Sequence, residues 1–180
     1  MNHRVVWFKE YASLWLERVG IKEGYVILDF GSGEGNYAIP AAQAVGPKGR
    51  VYAYERDSYI IKKLYEEKRY FELSSMEVVR AYKDDVIPFD DKMFDMVLFY
   101  DVLHSYYFTH VQRRKLLSEA YRVLKDDGVL SVFPKHMIED EFVEEAEDVG
   151  FLLLEKIPLR LLHYGFLEEG IILNFKKNLK

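Results

Sequence analysis

Cysteine does not occur anywhere in the 180 residues. Its absence removes disulfides, thiolate metal sites and every mechanism that needs a cysteine nucleophile, and it fits a reducing compartment. Long apolar runs are missing too. The amino terminus, Met1 to Arg4, passes directly into a segment broken by Lys9, Glu10 and Glu17, so neither a signal peptide nor a membrane span is expected, and a cytoplasmic location is. There is no surplus of positive charge. A net charge of -5 argues against a nucleic-acid binder that works by broad phosphate neutralisation, and the short run Arg113-Arg114-Lys115 reads as a solvated helix face. Glutamine is scarce (Gln43, Gln112) while glutamate and lysine are abundant, a pattern that fits a thermophilic source. What is present is a hydrophobic fraction of 49% and an aromatic fraction of 16%, far too high for a disordered chain. The length suits a single domain around one core.

Periodicity then orders the chain. Phe8, Tyr11, Ala12, Trp15 and Val19 fall on one helical face with Gly20 as the stop. Tyr25 to Leu28 is a short apolar run ending at Asp29, followed by the turn Phe30-Gly31-Ser32-Gly33-Glu34-Gly35 and a second helical stretch through Val45. Arg50 to Tyr54 predicts a second strand ending in Glu55, and Ile60, Ile61 and Leu64 resume helical spacing. Glu77 to Arg80 predicts a brief third strand, and Phe94 to Tyr100, interrupted only by Asp95, a strand buried on both faces. Thr109 and Gln112 fit a capping box opening a helix with Leu117, Ala120, Tyr121 and Leu124 on its stripe. Gly128 to Phe133 is the fifth strand, and Phe142, Ala146 and Val149 mark a helix closed by Gly150. Phe151 to Pro158 and Gly170 to Phe175 should pair as an antiparallel hairpin. Alternating strands and helices predict an α/β fold: an open, mostly parallel, doubly wound sheet with helices on both faces. No repeat, linker or insertion is large enough for a separate substrate domain. The expected organisation is an amino-terminal helix over residues 1–22, able to serve as a lid, and a single domain over 23–180.

In such sheets ligands sit at the carboxyl ends of the strands where the strand order reverses, beside the first strand-to-helix turn. The glycines of that turn let backbone approach a ligand, and the helix after it starts with free N–H groups. Glu55 closes the second strand, where a carboxylate can accept from ribose hydroxyls. A dinucleotide fingerprint would place its third glycine at position 36, which is Asn36, and this disfavours a nicotinamide enzyme.

Together these segments resemble the class I S-adenosylmethionine-dependent methyltransferases from about Val5 onward. Val26-Ile27-Leu28-Asp29-Phe30-Gly31-Ser32-Gly33-Glu34-Gly35 is similar to the first motif of that family, and Val51-Tyr52-Ala53-Tyr54-Glu55 to its second strand and ribose-binding acid. Asp84-Asp85-Val86-Ile87-Pro88-Phe89 with Phe94-Asp95-Met96-Val97 resembles the stretch bearing the adenine-contacting acid and the fourth strand. Arg122 to Gly128 resembles the turn into the fifth strand, with Asp126 where proline is common. The nearest branch by eye is the small ubiquinone/menaquinone C-methyltransferase-like group (methyltransferase type 11). The resemblance implies a Rossmann-like seven-stranded sheet of order 3-2-1-4-5-7-6 with strand 7 antiparallel, and S-adenosyl-L-methionine as cofactor, leaving S-adenosyl-L-homocysteine. It implies that Gly31, Ser32, Gly33 and Gly35 cradle the methionine portion with Asp29 orienting the loop. Glu55 would hold the ribose and Asp84, in preference to Asp85, the adenine amino group. Tyr37, Arg56 and Tyr100 complete the expected cofactor-binding set.

Methyl transfer from a sulfonium is an in-line displacement, so a protein mostly orients the reactants, and a base is needed only where the acceptor must lose a proton. Asp101 and His104, three apart after the fourth strand, are the candidates: one helical turn would set them on one side with the carboxylate fixing the imidazole. Asp101, His104 and His136 carry donor atoms but no ligand spacing, and His3, His110 and His163 share no motif, so no metal is expected. The segment Tyr100-Asp101-Val102-Leu103 lacks the Asn/Asp-Pro-Pro-aromatic pattern of nucleobase amino methylation, so nucleic acid is not the expected acceptor. Trp7, Phe8, Tyr11, Tyr37, Tyr106, Tyr107, Phe108 and Tyr164 could wall an apolar or cationic small molecule. The expected partner is therefore a small-molecule methyl acceptor, with homodimerisation open. The alternative reading is a catalytically silent cofactor-binding protein, or a subunit that needs a partner chain for its substrate site.

Overall fold

The computed structural model describes residues 2–82 and 85–179. Strands β1 (Val26–Phe30), β2 (Arg50–Glu55), β3 (Met76–Arg80), β4 (Phe94–Tyr100), β5 (Leu124–Phe133), β6 (Phe151–His163) and β7 (Phe166–Lys177) form one sheet of order β3-β2-β1-β4-β5-β7-β6. The pairings from β3 through β5 are parallel, and β7 runs antiparallel to both neighbours. The order and the reversed seventh strand are those the resemblance implied.

The apolar runs are continuous because both sheet faces are covered. Along β4, Met96, Leu98 and Tyr100 face one core with Trp15, Ile39 and Leu64. Val97 and Phe99 face the other with Leu117 and Phe142. The lone charge in that run, Asp95, has structural work: its carboxylate accepts from Val26 N at 2.7 Å and meets Lys125 Nζ at 2.7 Å. It thereby ties the start of β4 to the starts of its two neighbours.

Helices α1 (His3–Val6) and α2 (Ala12–Val19) run into one another through a π-helical turn, Trp7–Tyr11. Wider winding over that turn changes which side chains face inward. Trp7, Ala12, Trp15 and Val19 are buried, with a spacing of five between the first two, while Phe8 and Tyr11 of the expected face are only partly covered. The turn also moves Trp7 inward so that its Nε1 donates to Asn36 O at 2.8 Å, and Trp15 Nε1 donates to Tyr100 Oη at 3.0 Å. This helix is thus fastened into the core and beside the glycine turn by two tryptophans.

The remaining helices are α3 (Ala38–Val45), α4 (Ser58–Tyr70), α5 (His110–Val123) and α6 (Glu139–Val149). Thr109 and Gln112 form the capping box at the start of α5, and Asp57 caps α4 through Tyr59 N and Ile60 N. The last hairpin is longer than expected. Strand β6 continues past Pro158, because it is the sheet's edge and the proline needs no N–H partner on its open side. The hairpin closes on a two-residue turn, Tyr164-Gly165, with positive φ at both residues (45° and 81°), as tight hairpins require. The extension carries His163 to the mouth of the sheet.

Trp7→Ala is expected to cost about 3–5 kcal/mol of unfolding free energy in urea titrations. Leu14→Ala, on the exposed side of the same helix, should stay within about 0.5 kcal/mol. Small, equal losses would show that the helix lies on the core without belonging to it.

Candidate functional site

A cleft of about 390 Å³ opens at the carboxyl ends of the strands, beside the crossover between β1 and β4. One half is the glycine turn with Glu55 and Arg56; the other is Asp101, Tyr107, His163 and Tyr164. The volume suits a small-molecule site.

The turn is built around three left-handed glycines, Gly35 (φ 79°) among them. Gly31 (φ 74°) passes so close to Val102 that a Cβ would meet its Cγ2 at 2.8 Å, whereas a Cβ on Gly33 (φ 52°) would meet nothing within 4 Å among the described residues. Gly33 therefore borders open cleft. Gly35 does not: its Cβ position faces Leu64 and Ile39 at 3.0 and 3.2 Å, and it is not among the lining residues. A side chain there would press on α3 and α4. Ser32 lines the cleft, with a buried Oγ that has no hydrogen-bond partner among the described residues.

Glu55 locks this turn to the next. Its Oε2 accepts from Gly33 N at 2.9 Å, and its Oε1 from Arg56 N and Asp57 N at 2.7 and 3.0 Å. Asp29 sits below, 3% exposed, accepting from the Ala38 N–H at the start of α3 while its Oδ2 has no hydrogen-bond partner among the described residues. Burial, then the charge of Glu55, push its carboxyl up to about 7 against that one donation.

Tyr37 and Tyr100 line the cleft with their rings, 4.7 Å apart edge to face. Their hydroxyls are engaged elsewhere, Tyr37 donating to Leu162 O, Tyr100 hydrogen-bonded to Ser131 Oγ and accepting from Trp15 Nε1. Arg56 lies on the cleft with its guanidinium over the Tyr107 ring. Asp85 is held by Lys115 of α5 at 2.8 Å and does not line the cleft; Asp84 lies outside the described residues.

The expected Asp101–His104 pair does not form. The segment after β4 makes irregular turns, not a helix, and Asp101 adopts a left-handed backbone (φ 55°). Its carboxylate turns to His163 Nε2, 2.9 Å away. His104 accepts instead from Tyr106 N through Nδ1, and its Nε2 is buried without a partner among the described residues. Burial lowers its pKa; it is not a lining residue. His163 escaped sequence reading because nothing local marks it: its partners come from the ends of other strands, and only a hairpin extended past Pro158 delivers it. Of the aromatics expected at the mouth, Tyr37, Tyr107, Phe108 and Tyr164 line the cleft. Trp7 is core, and Tyr106 is 84% exposed.

Residues 28–132 match the methyltransferase domain family. The chain belongs to that family. This methyltransferase domain is similar to the ubiquinone/menaquinone biosynthesis C-methyltransferase UbiE of Salmonella arizonae, 28% identical over 160 residues, which take in 84% of this chain. The match spans only 61% of that relative's length. Its fold is similar to a SAM dependent methyltransferase from Aquifex aeolicus (TM-score 0.72, 23% identity, 91% of this chain and 88% of that one). It is similar also to a SAM-dependent methyltransferase from Methanosarcina mazei (TM-score 0.74, 18% identity, 92% and 98%). Among the described residues no helix is long and apolar enough to cross a membrane.

The raised Asp29 carboxyl has a consequence for stability. The folded chain holds this proton more tightly than the unfolded one, whose carboxyl titrates near 3.8. The stability it contributes is thus full below about pH 4 and is lost as pH rises through about 7. Asp29→Asn should flatten this decline, by on the order of a few kcal/mol across that window, in denaturant titrations at a series of pH values. Parallel curves for the two proteins would contradict it.

Proposed function

We propose that this methyltransferase domain binds S-adenosyl-L-methionine in the cleft and transfers its methyl group to a small-molecule acceptor. The observation that carries the reading is the Gly33 N–Glu55 Oε2 hydrogen bond. It sets a ribose-type acid directly against a glycine turn with open space beside it. The residues fit the cofactor. Ser32 Oγ is buried and lacks a partner among the described residues, and the cleft has carboxylate, guanidinium and aromatic walls.

On this reading Gly31, Ser32 and Gly33 bear the amino-acid end and Glu55 the ribose. Arg56, Tyr37 and Tyr100 wall the space between, with Asp29 holding strand end and helix start in register. A carboxylate has about four acceptor positions, and three of those on Glu55 already take backbone N–H groups. A ribose diol therefore takes the fourth and competes with Gly33 N, so binding and the shape of the turn are coupled. Tyr100 and Tyr37 keep their hydroxyl protons at any ordinary pH, both being pushed up by burial, and serve as walls, not bases. When bound, the cofactor supplies an electrophilic methyl on a sulfonium leaving group, which leaves the protein mainly the task of orienting the acceptor. That acceptor approaches from the side of Asp101, His163, Tyr107 and Tyr164. The likeness to UbiE supports a small organic acceptor.

Titration calorimetry with S-adenosylmethionine, S-adenosylhomocysteine and NAD tests this. Both adenosyl ligands should bind and NAD should not; NAD binding without either would overturn the reading. Gly33→Val should abolish adenosyl binding by filling the open cleft, and Glu55→Ala should weaken it by about 1–3 kcal/mol. Unchanged affinity in both would move the cofactor elsewhere. Labelled cofactor with a panel of phenols, quinol precursors, amines and small acids then reads transfer. Tight binding with no transfer to any of them would favour a silent binding protein.

A further inference from the structure

Three loops at the mouth of the sheet converge on one cluster. Asp101 follows β4, His136 follows β5, and His163 closes β6; a donor atom from each lies within 4.8 Å of the others. We infer that Asp101, His136 and His163 form a binding site for a divalent transition-metal ion of the zinc or cobalt kind.

The spacing is that of metal ligands. Two atoms each bound at about 2.0–2.1 Å at tetrahedral or octahedral angles sit about 2.9–3.4 Å apart. His136 Nε2 lies 3.3 Å from His163 Nε2, and His163 Nε2 lies 2.9 Å from Asp101 Oδ2. Two imidazole nitrogens facing one another at that distance can satisfy each other with at most one proton, whereas one cation satisfies both along with the carboxylate. The second carboxylate oxygen, Asp101 Oδ1, is buried with no hydrogen-bond partner among the described residues. Behind the cluster, Glu168 Oε1 sits 2.7 Å from His163 Nδ1 and 2.9 Å from Lys135 Nζ. A carboxylate this close to the far nitrogen of a histidine favours the tautomer protonated there and leaves the near nitrogen's lone pair for a metal, although Glu168 Oε1 makes no hydrogen bond of good geometry among the described residues. Two imidazoles and one carboxylate suit zinc, cobalt or ferrous iron better than magnesium or calcium, and three protein ligands leave positions open.

Asp101 and His163 line the cleft and His136 lies outside it, so the ion occupies the cleft wall, across from the glycine turn. An acceptor held there would bind through an oxygen or nitrogen lone pair; that last step rests on the methyltransferase reading, while the metal site does not.

The test uses the untagged, metal-free full chain without cofactor, titrated with Co²⁺ and read by visible absorption, and with Zn²⁺ read by calorimetry. One equivalent of Co²⁺ should give ligand-field bands that Zn²⁺ abolishes. Asp101→Asn and the double variant His136→Gln/His163→Gln should lose the bands. Glu168→Gln should weaken Zn²⁺ binding by about 10- to 100-fold, and His110→Gln, on α5 and outside the cluster, should leave it unchanged. Thermal melts show that each variant folds. Absence of saturable one-to-one Co²⁺ binding, or full binding in a folded double variant, would overturn the site. S-adenosylhomocysteine calorimetry on the same samples separates the two readings, since loss of either binding alone sinks only its own.

Discussion

The site depends on how one buried carboxylate is satisfied. Glu55 ends β2 at the edge of the cleft, where its charge would be costly without donors, and it takes three backbone N–H groups from two successive strand-to-helix turns. Those bonds fix the distance between the glycine turn and the start of α4, the space the proposed cofactor's nucleoside would enter. The same charge acts downward: beside it Asp29 is pushed toward neutrality, so two acids in contact with one turn play different parts, one presented to the cleft, one sealed beneath it.

Much of this was legible in the sequence because local signals agreed. β4 matches its apolar run residue for residue, the Thr109–Gln112 cap lies where its spacing put it, and glycine turn and Glu55 meet because a parallel β1–β2 pair brings their ends together. What was hidden has a common cause: it depends on contacts distant in sequence. The π-helical turn exchanges Trp7 for Phe8 in the core to reach Asn36 O, a partner no helical period announces. Pro158 suggests a strand end, and only its edge position makes it tolerable. Gly35 belongs to the glycine turn by motif, and the space a Cβ on it would need is taken by Leu64 of α4, a neighbour distant in sequence.

The longer hairpin changes the acceptor side most. By reaching past the end of β5 it brings His163 and Tyr164 to a mouth otherwise walled on that side by the turns after β4 and Phe133. Asp101 then has a partner across the sheet, and His104, near it in sequence, is left buried with its Nε2 unpartnered among the described residues. On the proposed reading the cleft divides into a cofactor half made by the first two strand-to-helix turns and an acceptor half made by the segment after β4 and the end of the last hairpin. The first half uses elements that the family match covers. The second draws also on the hairpin, beyond residue 132.

The division of the cleft is most directly tested by a crystal structure of the full chain with S-adenosyl-L-homocysteine. The account predicts the ribose on Glu55, the amino-acid end against Ser32 and Gly33, and the sulfur turned toward the half that holds Asp101 and His163. A ligand bound with Glu55 untouched, or with its sulfur facing away from that half, would contradict it.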